Sequence, residues 1–479
     1  MTYKEFYQKV QELAYSLLQK GVKKSDVFLF FADNSIDHAV AIFATIFIGV
    51  TVTLLQPASR PFELYDRIQK ANITVLVYDC KKVDVIRKAL ENEHFQKSIA
   101  QLNVFLQLDS PEPSELLRKH SITCTKSLIT FSELIVSGKG KQLERIPHFL
   151  VDDLQNDHFL ILFTSGSSGP PKTAIHSNHS FLSMQINLSY PEHFMGQRIA
   201  IPLPFGHMSG CTYMPLALSA GMTLVPLATS NVDHIMEVIA RLRVNHYLFS
   251  VSAISALVAN DYPAKFDLSS LKVLQYGGSK FPANILRELK AKYNTWMFEC
   301  YGSTEFFGHV NILKYGKLSF DDFQPGNLGQ VMPNVEMKIV DLKTGKTLPA
   351  NEHGEICFKG SPCFIGYLND EEATRNTIDS EGFYHSGDIG FFNEDHCLFV
   401  TDRIKELIKY KIWSVIPAEI EEFLYRHKAV AGACVIGVRH STDGNLVRAY
   451  VQLADGTEVA EQELIDFVKG MTMLFFIFC

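Results

Sequence analysis

The stretch FTSGSSGPPKT, residues 163–173, leaves the apolar run Phe159–Leu162 with three serines, two threonines, two glycines and a single lysine. These residue types suit the holding of phosphate. Glycines let backbone N–H groups approach an anion with no Cβ in the way. The hydroxyls of Thr164, Ser165, Ser167 and Ser168 add donors, and Lys172 adds a positive charge. Spacing excludes a nucleotidase P-loop. That loop needs G-x-x-x-x-G-K-[ST], with the lysine directly after the second glycine and a helix starting there. Here two residues separate Gly166 from Gly169, and Pro170 and Pro171 stand before Lys172. Both prolines lack an N–H and resist helix formation. The expectation is a mobile loop that closes over phosphate. A surface Ser/Gly linker is the plain alternative that composition alone leaves open.

The elements that must carry this loop fall into two series. Residues 3–20 suit an amphipathic helix, with Phe6, Val10, Leu13, Leu17 and Leu18 on one face. VFLFFA (27–32), an apolar helix near 38–48 that turns at Gly49, VTVTLL (50–55) and TVLVYD (74–79) follow. After FLILFT come RIAIPL (198–203), MTLVPL (222–227), HYLFSV (246–251), LKVLQYGG (271–278) and TWMFECYG (295–302), with helical stretches at 233–243 and 282–293. Strands alternating with helices predict βαβ units and parallel sheets. Beyond about residue 305, VEMKIVD (335–341), GEICFKG (354–360) and CLFVTD (397–402) predict a small, mostly antiparallel sheet or barrel. From Asp402 a last αβ unit is expected, with helices near 417–427 and 460–469 and strands near 433–438 and 448–453.

At 479 residues the chain exceeds one ordinary core, so two or more domains are expected. Apolar residues make up 47% and charged ones 20%, the balance of a globular protein. A net charge of −7 with no basic patch argues against nucleic acid as a partner. The run Ala39–Leu55, broken by threonines and Gly49, is short for a membrane span. Nine cysteines show no C-x-x-C pair and no matched histidine spacing, so buried free thiols are expected, Cys80 and Cys434 lying in apolar runs among them.

TSGSSGPPK is followed in order by YGSTE (301–305), GYLNDEEAT (366–374), YHSGDIG (384–390) and DRIKELIKYK (402–411). In these motifs and their order the chain resembles the adenylate-forming superfamily, within it the acyl-CoA synthetase, 4-coumarate–CoA ligase and beetle luciferase group. The resemblance covers nearly the whole chain. It implies an α/β fold with a large N-terminal AMP-binding domain over 1–401, built of two parallel-sheet αβ subdomains and a small β-barrel-like subdomain. A partial α+β lid domain over 402–479 follows. The implied reaction has two steps: a carboxylate attacks the α-phosphorus of ATP, and a thiol, usually that of coenzyme A, then displaces AMP. Such chemistry is mostly positioning and charge stabilisation.

What the resemblance implies for single residues is as follows. Thr164, Ser165, Gly166, Ser167, Ser168, Gly169 and Lys172 match the loop that grips the β- and γ-phosphates. Tyr301 matches the aromatic that stacks on adenine; Gly302 follows it, and Thr304 matches the α-phosphate contact. Glu305 matches the Mg²⁺ carboxylate. Asp388 matches the acceptor of both ribose hydroxyls, in a Ser-Gly-Asp turn, and Arg403 a second ribose contact beside the hinge at Asp402. His207, in PLPFGHMSG, matches the mouth of the acyl pocket, and Gly277 and Gly278 its flat wall. Lys409 matches a lysine serving the thioester step. The implied partners are a fatty or aryl carboxylic acid, ATP and coenzyme A.

The chain departs from this pattern at four places. Thr173 stands for the glycine after the loop lysine, and Asn178 for a nearby histidine. Ile412 replaces the glycine of Lys-Tyr-Lys-Gly. A β-branched residue at positive φ there would be strained by about 1–2 kcal/mol and would crowd the coenzyme A path. The Pro-Thr-Gly-Lys lysine that serves adenylation in relatives has no counterpart; VRAYVQLADGTEVAEQELIDFVKGMT runs on into MLFFIFC. Weakened adenylation is therefore expected, with MLFFIFC an aggregation hazard. Two alternatives to the ligase stay open: a nucleotide-binding pseudoenzyme, and luciferase-like oxidation of an adenylate. Some relatives end in a peroxisomal Ser-Lys-Leu; its absence here gives a cytoplasmic expectation.

Overall fold

The computed structural model describes residues 1–92, 101–110, 114–118, 127–141, 143, 153–164, 171–187, 194–249, 253–278, 281, 283–307, 310–311, 324–410, 413–440 and 444–469. In the first half, strands β1 (Val27–Phe31), β2 (Thr51–Leu54), β3 (Val75–Tyr78), β4 (Val104–Gln107), β5 (Ser127–Thr130), β6 (His158–Phe163) and β7 (Thr173–Ser177) belong to one sheet. A second sheet takes β8 (Arg198–Ile201), β9 (Thr223–Pro226), β10 (His246–Leu248), β11 (Val273–Gly277) and β12 (Trp296–Cys300). A short pair, β13 (Val310–Asn311) and β14 (Gln330–Val331), leads into β15 (Val335–Val340), β16 (Gly354–Gly360), β17 (Gly366–Tyr367), β18 (Tyr384–Phe392) and β19 (Leu398–Arg403). The last sheet holds β20 (Ile408–Tyr410), β21 (Trp413–Val415), β22 (Val430–His440) and β23 (Gly444–Leu453).

The first sheet has the order β17-β7-β6-β2-β1-β3-β4-β5 and is parallel from β6 through β5. The second runs β12-β11-β10-β8-β9, parallel throughout. Runs such as VFLFF, TVTL and VLVY are buried along nearly their whole length, as strands covered on both faces must be. Helix Tyr3–Gln19 starts on a capping box, Thr2 accepting from Glu5 N–H and Glu5 accepting from Thr2 N–H. Helix Ile36–Phe47 ends in a turn at Gly49 (φ 74°), as the sequence predicts, and delivers the chain to β2.

Buried Asn34 locks the two sheets together. Its amide donates to the carbonyls of Ile201, Leu203 and Leu227 (3.3, 2.9 and 3.2 Å), and its Oδ1 accepts from Phe205 N–H at 2.8 Å. One apolar core, including Phe30, Leu160, Ile199 and Phe205, spans both sheets.

Three strands near the site are absent from the sequence reading. β7 pairs antiparallel with β6, so FTSGSSGPPKT joins two strands of a hairpin. β17 extends the sheet beyond β7, bringing GYLND to its edge. YHSGDIG is part of the nine-residue β18, in the antiparallel sheet β15-β16-β18-β19, rather than a free turn. Helices Pro417–Tyr425 and Glu461–Lys469 pack on the last sheet through Ile420, Leu424, Leu464 and Val468. Cys80 and Cys434 are exposed, against expectation: Cys80 opens a turn beyond β3, and Cys434 lies on β22, whose burial alternates. Among the described residues no helix is long and apolar enough to cross a membrane.

Candidate active site

Ligands of open parallel sheets lie beyond the carboxyl ends of the strands. Thr164 follows β6, Gly277 ends β11 with Gly278 next after it, and Tyr301 to Glu305 follow β12. The loop closes at its base: Thr164 N–H donates to the Lys172 carbonyl, and Lys172 N–H to Thr164 Oγ1, both at 3.0 Å. Ser165, Gly166, Ser167, Ser168 and Gly169 lie outside the described residues.

Two networks meet on the turn Tyr301–Glu305. In the first, the Tyr301 hydroxyl donates to Asp388 Oδ2 at 2.6 Å, and Arg403 Nε meets Asp388 Oδ1 at 3.0 Å. Asp388 and Arg403 are register partners on β18 and β19. Asp388 is only 5% exposed. Desolvation raises its pKa, opposed by Arg403 and by the Tyr301 hydrogen bond. Burial holds the Tyr301 phenol protonated well beyond its ordinary range, which keeps it a donor.

In the second network the Lys172 ammonium lies 4.8 Å from the centroid of the Tyr367 ring, and the Tyr367 hydroxyl donates to Glu305 Oε1 at 2.7 Å. Desolvation, then the nearby Glu305, push the Tyr367 pKa upward, so this hydroxyl also stays a donor. Phe364 N–H fixes the Glu305 carbonyl at 2.8 Å. Gly302 and Thr304 stand between the two networks, both partly exposed.

The residues assigned to the acyl pocket are positioned separately. His207 is exposed and caps helix Met208–Ser219, its Nδ1 accepting from Ser209 N–H at 3.2 Å. β8 and β11 flank β10, so His207 and the two glycines share one sheet edge with a strand between them. Gly278 has φ 92°, a conformation side chains resist. At Gly277 a Cβ would lie 2.4 Å from the Cys300 carbonyl oxygen. Gly277→Ala is therefore expected to force β11 from β12 and to destabilise the protein by about 1–3 kcal/mol, measured by urea unfolding. Beside this wall Gln275 Nε2 donates to the Tyr213 hydroxyl (2.8 Å), itself 3.0 Å from Cys300 Sγ. Lys409 sits in β20 opposite Ser414, away from the two networks in sequence and sheet; Lys411 and Ile412 lie outside the described residues.

The model of the AMP-binding enzyme family matches residues 1–368, and that of the AMP-binding enzyme C-terminal domain matches 419–473. The chain belongs to the AMP-binding enzyme family. Curated relatives include 4-coumarate-CoA ligase 1 of Narcissus pseudonarcissus, 27% identical over 99% of this chain and 83% of that protein. 4-coumarate–CoA ligase 2 of Solanum tuberosum is 28% identical, also over 99% and 83%. The fold is shared with ATP-bound MatB from Rhodopseudomonas palustris, at 23% identity and TM-score 0.82 over 100% of this chain and 90% of that one. It is shared too with the anthranilate CoA ligase AuaEII in complex with anthranoyl-AMP, at 18% identity and TM-score 0.80 over 98% and 86%.

Within this AMP-binding enzyme, sequence reasoning assigned no role to Tyr367 or to Glu355. Tyr367 lies in a quoted motif, but its partner Glu305 is 62 residues away, and the two segments meet only in the fold, through the Phe306–Cys363 β-bridge and the bond from Phe364 N–H to the Glu305 carbonyl. Glu355 braces the segment that carries Asp388. The pairing of β16 with β18 slips between Glu355↔Ile389 and Cys357↔His385, so residues 386–388 bulge. Glu355 Oε1 accepts from Gly387 N–H (3.1 Å), and Oε2 meets His385 Nδ1 (2.8 Å). The Ser386 hydroxyl ties the bulge to the Ile356 carbonyl at 2.6 Å.

Glu355, Cys357 and His385 are also the group whose ligand atoms converge among the described residues. Since His385 Nδ1 faces both others as a donor, they form a hydrogen-bonded brace. The Cys357 sulfur and the Glu355 carboxylate raise the His385 pKa to about 10; burial keeps Cys357 a thiol, so the charge facing the ring is that of Glu355, with Asp379 3.5 Å from Nε2. A raised folded-state pKa stabilises fully below the unfolded value near 6.5 and loses that effect as the pH climbs toward 10. The gap in urea midpoint between wild type and His385→Asn is thus expected to be widest near pH 6 and to shrink by about pH 10.

Proposed function

We propose that this chain activates a carboxylic acid with ATP, forming an acyl-adenylate and pyrophosphate, and then transfers the acyl group to the thiol of coenzyme A. The observation that carries the reading is the meeting of two networks on one five-residue turn. Asp388 with Arg403 offers a buried acceptor and a cation for a ribose, while Lys172 and Glu305 stand together for the polyphosphate. In this reading Tyr301 lies against adenine, Thr304 contacts the α-phosphate, and Ser165, Ser167 and Ser168 close over the β- and γ-phosphates.

Glu305 fits a Mg²⁺ site, since one carboxylate beside the phosphate position is what this ion takes while keeping waters. Bound there, Mg²⁺ would neutralise phosphate charge. The acyl group would lie past His207 along Gly277 and Gly278, and Lys409 would serve the thioester step after the unit beginning near Asp402 reorients. The names of the relatives favour an aryl or hydroxycinnamate-like acid.

The test is carboxylate-dependent pyrophosphate release with ATP and Mg²⁺ over hydroxycinnamates, aminobenzoates and fatty acids, followed by thioester detection with coenzyme A. Release with one acid class supports the reading. No release with any acid, alongside firm AMP binding, overturns it in favour of a nucleotide-binding protein.

A further inference from the structure

We infer that His176 is a positioning residue for the nucleotide, holding the Thr304 carbonyl so that the turn Tyr301–Glu305 presents its side chains to the phosphates. This rests on the nucleotide reading proposed above and assigns a role to a residue outside every motif.

His176 lies on β7, fully buried. Burying a polar ring inside a sheet is costly unless a hydrogen bond offsets the cost. His176 Nε2 is 2.7 Å from the carbonyl oxygen of Thr304, 128 residues away. A carbonyl only accepts, so Nε2 carries the proton. Nδ1 is then an acceptor; the Ser180 hydroxyl lies 3.3 Å from it and 3.0 Å from the Ser177 carbonyl, with one proton to share between them. The ring is held 3.9 Å, centroid to centroid, from that of buried Phe307, with Phe364 at 6.5 Å. Desolvation lowers the pKa to about 4, so the ring stays neutral in ordinary working conditions.

The target of the bond separates this role from that of an ordinary core histidine. β7 begins at Thr173, directly after Lys172, and Ala174 pairs with Tyr367, whose hydroxyl holds Glu305. His176 adds a second grip, on the neighbouring residue Thr304. One strand therefore sets the loop lysine, the carboxylate and the backbone between them. Loss of the donor would release the Thr304 carbonyl, while Tyr301 and Glu305 keep their own ties to Asp388 and Tyr367.

The experiment compares wild type with three variants by calorimetric titration of AMP, by ATP and acid kinetics of pyrophosphate release, and by thermal unfolding. His176→Phe keeps the ring and removes the donor; His176→Asn keeps an amide too short to reach Thr304; His176→Gln keeps a donor of suitable length. The Phe and Asn variants are expected to bind AMP about tenfold more weakly, and the Gln variant within about threefold of wild type. Where turnover is measured, KM for ATP should rise while KM for the acid holds. An AMP Kd unchanged in both the Phe and Asn variants, even with a lower Tm, makes His176 a core residue and overturns the inference alone. Wild type that binds no AMP overturns the nucleotide reading and this inference together.

Discussion

Alanine in place of Asp388 is expected to weaken AMP and ATP binding by about a hundredfold, read by calorimetric titration. The carboxylate is nearly sealed from water, and it organises two groups at once: Tyr301 on the turn after β12 and Arg403 at the end of β19. Alanine deprives both of this partner and leaves the tyrosine hydroxyl facing the cavity where the carboxylate stood. Asp388→Asn keeps the shape and one acceptor oxygen, so a smaller loss, about tenfold, is expected from the charge alone. The pH dependence supplies a second reading. Desolvation lifts the Asp388 pKa, so the acceptor is protonated sooner than an ordinary aspartate as the pH falls. Affinity should fade on the acid side in wild type and lose that dependence in Asp388→Asn. Equal affinities for wild type and Asp388→Ala would remove the ribose assignment.

The loop and the strand before it were legible because an apolar run gives way abruptly to glycine, serine and lysine, and no buried strand can continue through such residues. The same rule hid β7. TAIHS alternates weakly, and its polar His176 is buried against a turn that the local sequence does not contain. β18 was hidden for the opposite reason. Ser386-Gly387-Asp388 has the composition of a turn, and its backbone is turn-like, with Gly387 at φ 70°. The segment is nonetheless a bulge inside a strand, because Glu355 from the neighbouring strand supplies the acceptor that the bulged N–H needs.

Motif order located Asp388, Arg403, Tyr301 and Glu305, but not how they touch. The contact of Tyr367 with both Lys172 and Glu305 depends on a two-residue edge strand, β17, which has no periodicity to read. Cys434 shows the limit of reading burial from neighbours: an apolar run along β22 still turns alternate side chains outward.

Glu305→Gln separates the polyphosphate half of the site from the nucleoside half. The substitution keeps volume and leaves an amide oxygen for the Tyr367 hydroxyl, while removing the charge that would hold Mg²⁺. Pyrophosphate release is expected to fall by about a hundredfold to a thousandfold, the scale of losing one electrostatic contact to a transition state. AMP, which has neither β- nor γ-phosphate, should bind within about twofold of wild type, because the Tyr301–Asp388–Arg403 network is untouched. Raising Mg²⁺ should recover part of the lost rate if the carboxylate acts through the ion. Tyr367→Phe provides the graded control. It retains the ring beneath the Lys172 ammonium and removes only the hydroxyl on Glu305, so a loss of about tenfold is expected, again with AMP affinity preserved. If Glu305→Gln instead weakened AMP and spared turnover, the carboxylate would belong to the nucleoside half, and the division of the turn Tyr301–Glu305 between two networks would have to be redrawn.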